Sequence, residues 1–210
     1  LGLDFIDTLE DLILKMKHSE SGCSPDFLLF LTTEPHPKFS IGLLQMSIKV
    51  TNEPPKGLKA GLQRSYTVIV DQDKIERVES PTWRTLLFAL CFTHSVVQER
   101  RKFGPLGWNI RYGFDESDLE TTFKIMKRFL DEQDVFPWDA MRYVTAVINY
   151  GGRVTDKQDK YCIECILSKF IHEDIVKDDY KFSDSGVYFA PPSGSYEEVI
   201  AYFKTLPDTD

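Results

Sequence analysis

An α+β chain, mainly α, is the fold class this sequence predicts, and three observations carry it. From about residue 80 onward, apolar residues recur at three- and four-residue spacing in segments opened by capping residues, which is the pattern of amphipathic helices. Earlier, Phe27-Leu28-Leu29-Phe30-Leu31 is a continuous apolar run between Pro25 and Pro35, the pattern of a strand buried on both faces. Near the end, Gly186-Val187-Tyr188-Phe189-Ala190 reads as a short strand stopped by Pro191-Pro192.

Taken in order, Asp4 to Lys17 sets Phe5, Leu9, Leu12 and Met16 at helical spacing, and Gly22 to Pro25 breaks it. After the apolar run, Ser40 can cap a helix with Ile41, Leu44 and Ile48 on one side. That helix must stop before Asn52-Glu53-Pro54-Pro55-Lys56-Gly57. A lone strand is not a sheet, so its partners are expected upstream. Gly57 to Asp73 reads as helix first, then extended through Tyr66-Thr67-Val68-Ile69-Val70.

Ser80-Pro81 then opens a helix bearing Trp83, Leu86, Leu87, Leu90, His94 and Val97, with Phe88 and Phe92 loading a second side. Apolar nearly all round, it belongs at the centre of a bundle. It ends in Glu99-Arg100-Arg101-Lys102, cations where the macrodipole favours them. Gly104 can take the left-handed position after the helix and Pro105 forbids continuation, leaving a stiff corner anchored by Trp108.

Three more helices follow. Ser117-Asp118-Leu119-Glu120 opens one facing inward with Leu119, Phe123, Met126 and Leu130. Pro137 opens the next, with Trp138, Met141, Val144 and Ile148, ending at Gly151-Gly152. Thr155-Asp156-Lys157-Gln158 opens the third, with Cys162, Ile166 and Phe170. Ser195-Tyr196-Glu197-Glu198 starts a last helix carrying Val199, Phe203 and Leu206.

Composition is ordinary for a globular chain: 210 residues, 42% hydrophobic and 28% charged, with a net charge of −8. That acidity argues against nucleic acid as a partner, because broad phosphate neutralisation needs a basic excess that Arg100-Arg101-Lys102 is too short to supply. The apolar runs are too short for a membrane-spanning helix. Asp4, Asp7, Glu10 and Asp11 give the opening residues the wrong sign for a secretory leader. The chain reads as a piece of something longer. Cysteines 23, 91, 162 and 165 lack disulfide-framework spacing.

Motifs that carry chemistry are sparse. No GxxxxGK[ST] or GxGxxG occurs. Gly151-Gly152-Arg153 follows a helix end and is expected to be a cap. Cys162-Ile163-Glu164-Cys165 with His172 begins like a zinc site but lacks the remaining ligands, so buried thiol is expected. His94 is expected to be a hydrogen-bonded core residue. Thr32, Thr33, Glu34 and His36, at the carboxyl end of the expected strand, are the candidates for a nucleotide-facing edge, with a proline-stiffened loop as the blander reading. No catalytic, cofactor-binding or metal residue is nominated.

Four longer segments are more informative. LTTEPHPKF, SIKVTNEPPKGLKAGLQRSY, HSVVQERRKFGPLGWNIRYGF and RYVTAVINYGGRVTD, in that order, closely resemble dynein heavy chains at the end of the motor ring. The likeness is to the last part of the sixth AAA+ module and its helical lid. RRKFGPLGWNI is similar to the axonemal version, and LGLDFID with LTTEPHPKF leans toward outer-arm chains. The family usually places Pro after Trp-Asn-Ile and Glu before the next Phe, where this chain has Arg111 and Gly113.

The resemblance implies a truncated AAA+ α/β portion over residues 1–78 and a helical lid, with its short β element, over 79–210. It implies a non-catalytic ring segment in an ATP-driven microtubule motor of the axoneme, with ATP-Mg bound in other modules and no cofactor in this part. Its partners would be neighbouring AAA+ modules, the C-terminal region of the same heavy chain, other dynein subunits and, indirectly, the microtubule. Helix-end charges nominate Glu99, Arg100, Arg101, Lys102 and Trp108, with Arg153 and Asp156, as intra-ring contacts. The rival readings are a degenerate regulatory nucleotide module and a free-standing helical adaptor.

Overall fold

The structure, a computed structural model, describes residues 3–18, 24, 26–33, 36–50, 56–69, 81–191 and 195–208. Two units separate, Leu1–Glu53 and Pro54–Asp210. The expected boundary near residue 78 and the Ser80 cap lie outside the described residues, as does Glu34.

In the first unit a 3-10 turn, Leu3–Phe5, leads into helix α1, Ile6–His18. Helix α2, Ile41–Met46, is capped as expected: the Ser40 hydroxyl accepts from the Leu43 N–H at 3.2 Å and also donates to the Glu10 carboxylate on α1. The apolar faces differ from expectation. Ile6 and Leu43 are buried, whereas Phe5, Leu12, Ile41 and Leu44 are exposed. Helix α2 stops at Met46, so Ile48 lies beyond it and is exposed.

The expected strand at Phe27–Leu31 is likewise corrected. Its residues are in no strand, and Phe30 is 85% exposed. A strand buried on both faces needs a hydrogen-bonded neighbour and a cover, and no strand exists among the described residues to provide one.

The second unit holds a continuous aromatic-rich core. Helix α3, Leu58–Arg64, passes directly into a π-helical turn, Ser65–Ile69, where an extended segment is expected. Packing overrides the β-propensity there: Tyr66 is buried edge-on against Phe203 with ring centroids 5.1 Å apart. Helix α4, Pro81–Glu99, is the central element, and Trp83, Leu86, Leu87, Phe88, Leu90, Phe92 and Val97 are all buried. Helices α3, α5 (Glu116–Glu132) and α7 (Lys157–Phe170) pack against it.

The cap of helix α5 lies two residues before the expected Ser117. Asp115, in extended conformation, accepts from the Ser117 and Asp118 N–H groups, and Asp118 returns the bond to the Asp115 N–H, completing a capping box. Helix α6, Trp138–Tyr143, continues as a π-helix, Val144–Asn149, closed by the Tyr150 N–H to Thr145 carbonyl bond at 3.0 Å. The wider turn changes the inward face. Thr145, Ala146 and Tyr150 are buried where Val144 and Ile148 are expected, and Ile148 is exposed. On α7, capped by Asp156 and not Thr155, the buried line runs through Ile163, Leu167 and Phe170.

The expected C-terminal strand is also corrected. Residues 186–190 form an irregular segment whose backbone finds a side-chain partner: the Tyr202 hydroxyl donates to the Val187 carbonyl at 2.7 Å and accepts from the Phe189 N–H at 3.1 Å. That hydroxyl, with one backbone bond from the Phe182 N–H to the Tyr188 carbonyl at 2.8 Å, stands where a strand ladder would be. Tyr202 lies on the last helix, α8, Tyr196–Thr205, which also packs against α3. Its cap is the expected one, Ser195 accepting from the Glu198 N–H. Ser195→Ala is expected to lower the unfolding free energy by about 1 kcal/mol, read from the urea midpoint. The mainly α reading of the chain stands.

Candidate functional site

The corner after α4 is built from backbone constraints. Arg100–Leu106 winds as a 3-10 helix interrupted at Gly104, whose φ of 52 and ψ of −133 are not the left-handed helical cap expected but a conformation still reserved for glycine. The Gly104 carbonyl accepts from the N–H groups of both Gly107 and Trp108 at 2.9 Å. Gly107 is required by close approach: a Cβ there would lie 1.7 Å from the Arg100 carbonyl oxygen. Trp108 is buried, donates from its indole nitrogen to the Val97 carbonyl at 3.1 Å, and so locks the corner to α4.

Arg100 works inside this corner. Its Nη2 lies 3.0 Å from the Gly107 carbonyl and 3.1 Å from the Cys162 sulfur, and the guanidinium sits 5.2 Å from the Trp108 ring centroid. Glu99 accepts from the Gly57 N–H at 2.9 Å and pairs with Lys102, tying α4 to the start of α3. Arg101 donates to the Gln98 carbonyl. Of these cations, Lys102 is the exposed one, and Phe103 and Leu106 beside it are exposed as well.

The far side of the corner rests on a carboxylate that the sequence reading missed. Asp159, buried in the first turn of α7, accepts from the Asn109 N–H at 3.0 Å, the Ile110 N–H at 3.2 Å and the Tyr112 hydroxyl at 2.9 Å. Asp156 joins it: its carboxylate accepts from the Asn109 amide, and its N–H donates to the Tyr112 hydroxyl. The bond from the Asp159 N–H, with those from the Asn109 amide and the Gln158 N–H, holds the Asp156 carboxyl below its ordinary range.

Arg153 is directed elsewhere. It donates to Asp118 at 2.7 Å and Asp115 at 3.2 Å, bracing the start of α5, while Asn149 at the end of the π-helix donates to the Asp118 carbonyl at 2.7 Å. Partial burial opposes the charge on Asp115, but hydrogen bonds from Ser117 and the Arg153 guanidinium outweigh it and keep that carboxyl low. The structure thus gathers Glu99 to Lys102, Trp108 and Asp156 at one corner and sets Arg153 at the α5 cap.

The remaining candidates have local duties. His94 is buried with its Nδ1 2.8 Å from the Tyr150 hydroxyl, as a core histidine should be. His172 lies 3.2 Å from the Tyr180 hydroxyl and caps a short turn through Asp174. Cys162 is half-buried and Cys165 is exposed, so the expectation of a buried thiol, which rested on Cys162, is corrected: Ile163 and Leu167 take the inward line. Thr32 and Thr33 are exposed, and His36 accepts from the Lys38 N–H within its own turn. Among the described residues no group of metal-ligating side chains assembles, and no helix is long and apolar enough to cross a membrane.

Residues 83–210 match the family model of the dynein heavy chain AAA lid domain, and residues 1–51 match that of the dynein heavy chain region D6 P-loop domain. Over its whole length the chain is 42% identical to human dynein axonemal heavy chain 6 and 44% identical to dynein axonemal heavy chain 12 of the rat. It is 40% identical to the dynein gamma chain of the flagellar outer arm of Chlamydomonas reinhardtii. It spans only 5%, 7% and 5% of those relatives, respectively. The lid match alone covers more than half of these residues, and on that ground the chain belongs to the dynein heavy chain family.

Proposed function

We propose that the chain is a non-catalytic segment of the motor ring of an axonemal dynein, passing rigid-body motion between ATP-using modules and the rest of a microtubule motor. The observation that carries this reading is the tie between lid helices at the corner, where Trp108, Arg100 and Asp159 join the end of α4 to the start of α7. A core packed this densely shifts as a unit and does not deform smoothly. The exposed apolar run Phe27–Leu31, with Ile48 and Val50, supports the same reading, since such side chains belong under cover in a complete heavy chain.

The proposed division gives residues 1–78 to the module and 79–210 to the lid, although α3 packs with the lid unit. ATP-Mg is assigned to other modules, and the partners to neighbouring AAA+ modules, the C-terminal region and other dynein subunits. The cilium or flagellum is the place of work.

Glu99, Arg100, Arg101, Lys102, Trp108, Arg153 and Asp156 remain the proposed ring-contact region, with a division of labour. Arg100, Trp108, Arg153 and Asp156 shape it, and Lys102, with the half-buried Arg101 beside it, offers the outward charge. In a complete motor, Arg101→Glu with Lys102→Glu is expected to cut microtubule gliding per ATP hydrolysed about threefold while basal ATPase persists. Gliding and ATPase both at wild-type levels would remove these residues from the contact.

A further inference from the structure

We propose that Cys162 and Cys165 form a redox modification site, a dithiol that a hydroperoxide converts to a disulfide, and that its state is read by the corner at residues 104–108. The two cysteines stand three positions apart on α7, hence on one face on consecutive turns. Helical spacing puts their Cβ atoms roughly 5–6 Å apart, and a disulfide needs roughly 3.5–4.5 Å, so closure requires a local tightening of about 1.5 Å. Exposure assigns the roles. Cys165 is open to solvent and meets the oxidant, while Cys162 is half-buried and held from the other side by Arg100 at 3.1 Å.

In the first step the Cys165 sulfur attacks one oxygen of the hydroperoxide and the O–O bond breaks. The departing alkoxide or hydroxide takes up the thiol proton, leaving a sulfenic acid that is oxidised by two electrons. In the second step the Cys162 sulfur attacks the Cys165 sulfur and the S–O bond breaks. Hydroxide leaves and takes the Cys162 proton as water. With hydrogen peroxide, two thiols and one peroxide give one disulfide and two waters.

The consequence follows from Arg100. The same Nη2 that reaches the Cys162 sulfur also reaches the Gly107 carbonyl, and Arg100 Nε is buried with no hydrogen-bond partner among the described residues. Drawing the Cys162 sulfur toward Cys165 removes one of the contacts that position this guanidinium over Trp108. Oxidation therefore loosens the corner. Cys91 is an internal control: it is fully buried, and burial pushes its thiol well up, away from the reactive form.

The test uses the chain with Cys23→Ser, dilute hydrogen peroxide, intact-mass and peptide analysis, and a sulfenic-acid-trapping dione. The expected result is loss of two hydrogens, with Cys162 and Cys165 bridged and Cys91 reduced. Cys162→Ser should accumulate trapped sulfenic acid at Cys165, and Cys165→Ser should oxidise about tenfold more slowly. In the bridged chain the Gly107 and Trp108 amides, both bonded to the Gly104 carbonyl, should exchange hydrogen about fivefold faster than in the reduced chain. An open adduct at Cys165 beside a reduced Cys162, or faster oxidation of Cys165→Ser than of Cys162→Ser, overturns the site. A bridge that leaves both exchange rates unchanged overturns its coupling to the corner.

Discussion

Replacing Asp159 with alanine is expected to lower the unfolding free energy by about 4 kcal/mol, far more than an ordinary helix-cap substitution. The Asn109 and Ile110 N–H groups and the Tyr112 hydroxyl all end on this one carboxylate, which is buried. Alanine removes the acceptors and leaves the donors behind: the buried Tyr112 hydroxyl left unsatisfied costs about 1–3 kcal/mol, and the two part-buried N–H groups about 1 kcal/mol each. Asp159→Asn keeps one carbonyl oxygen but turns an amide N–H toward groups that are themselves donors, so it should recover less than half of the loss. Tyr112→Phe separates the contributions, because its hydroxyl bond is absent in both arms of a double-mutant cycle with Asp159→Asn. Urea unfolding of the variants measures all of this. A loss for Asp159→Ala no larger than that for Ser195→Ala would mean the corner does not rest on Asp159.

Why Asp159 escaped notice shows how far the sequence is legible. An acidic residue in the first turn of a helix is what the macrodipole favours anyway, so Asp159 gave no local signal. Its partners are about fifty positions away, and only the fold brings them near. Local periodicity did reveal what depends on local geometry. The all-round apolar character of 81–99 marked the central helix, Ser40 and Ser195 marked their caps, and the glycines with Trp108 marked the corner.

Where the expectation slipped, a non-local contact had prevailed over a local preference. Tyr66 turns helical to reach Phe203, and the π-helix at 144–149 moves the buried face from Ile148 to Thr145 and Ala146. At 186–190 a tyrosine hydroxyl and one backbone bond from Phe182 substitute for a strand ladder. Phe27–Leu31 is the opposite case: the residues suit a buried strand, but no strand is present among the described residues to pair with it.

The second large effect is a pH dependence, and it originates at His94. Burial brings this imidazole down to about 4; the nearby Asp115 charge opposes the shift and Arg101 adds to it. From α4 itself and from the elements packed around it, the ring faces the Tyr150 hydroxyl at 2.8 Å, and a neutral imidazole can accept that bond. The folded chain therefore holds His94 neutral through a range in which the unfolded chain, with an ordinary value near 6.5, binds a proton. Stability from this group is fully present above about pH 6.5 and is lost as pH falls toward about 4.

Two and a half pKa units correspond to about 3 kcal/mol, so that is the expected drop in unfolding free energy across the window. The depressed carboxylates Asp115, Asp156 and Asp174 act in the same direction but lower, giving up their contributions below about pH 4. His94→Gln keeps an acceptor for Tyr150 and cannot titrate, so its unfolding free energy should stay nearly flat between about pH 6.5 and 4.5 while starting lower at neutral pH. Urea midpoints for the two proteins, measured across that range, should converge on acidification. Parallel curves would mean that the acid sensitivity of the lid core lies somewhere other than the His94–Tyr150 pair.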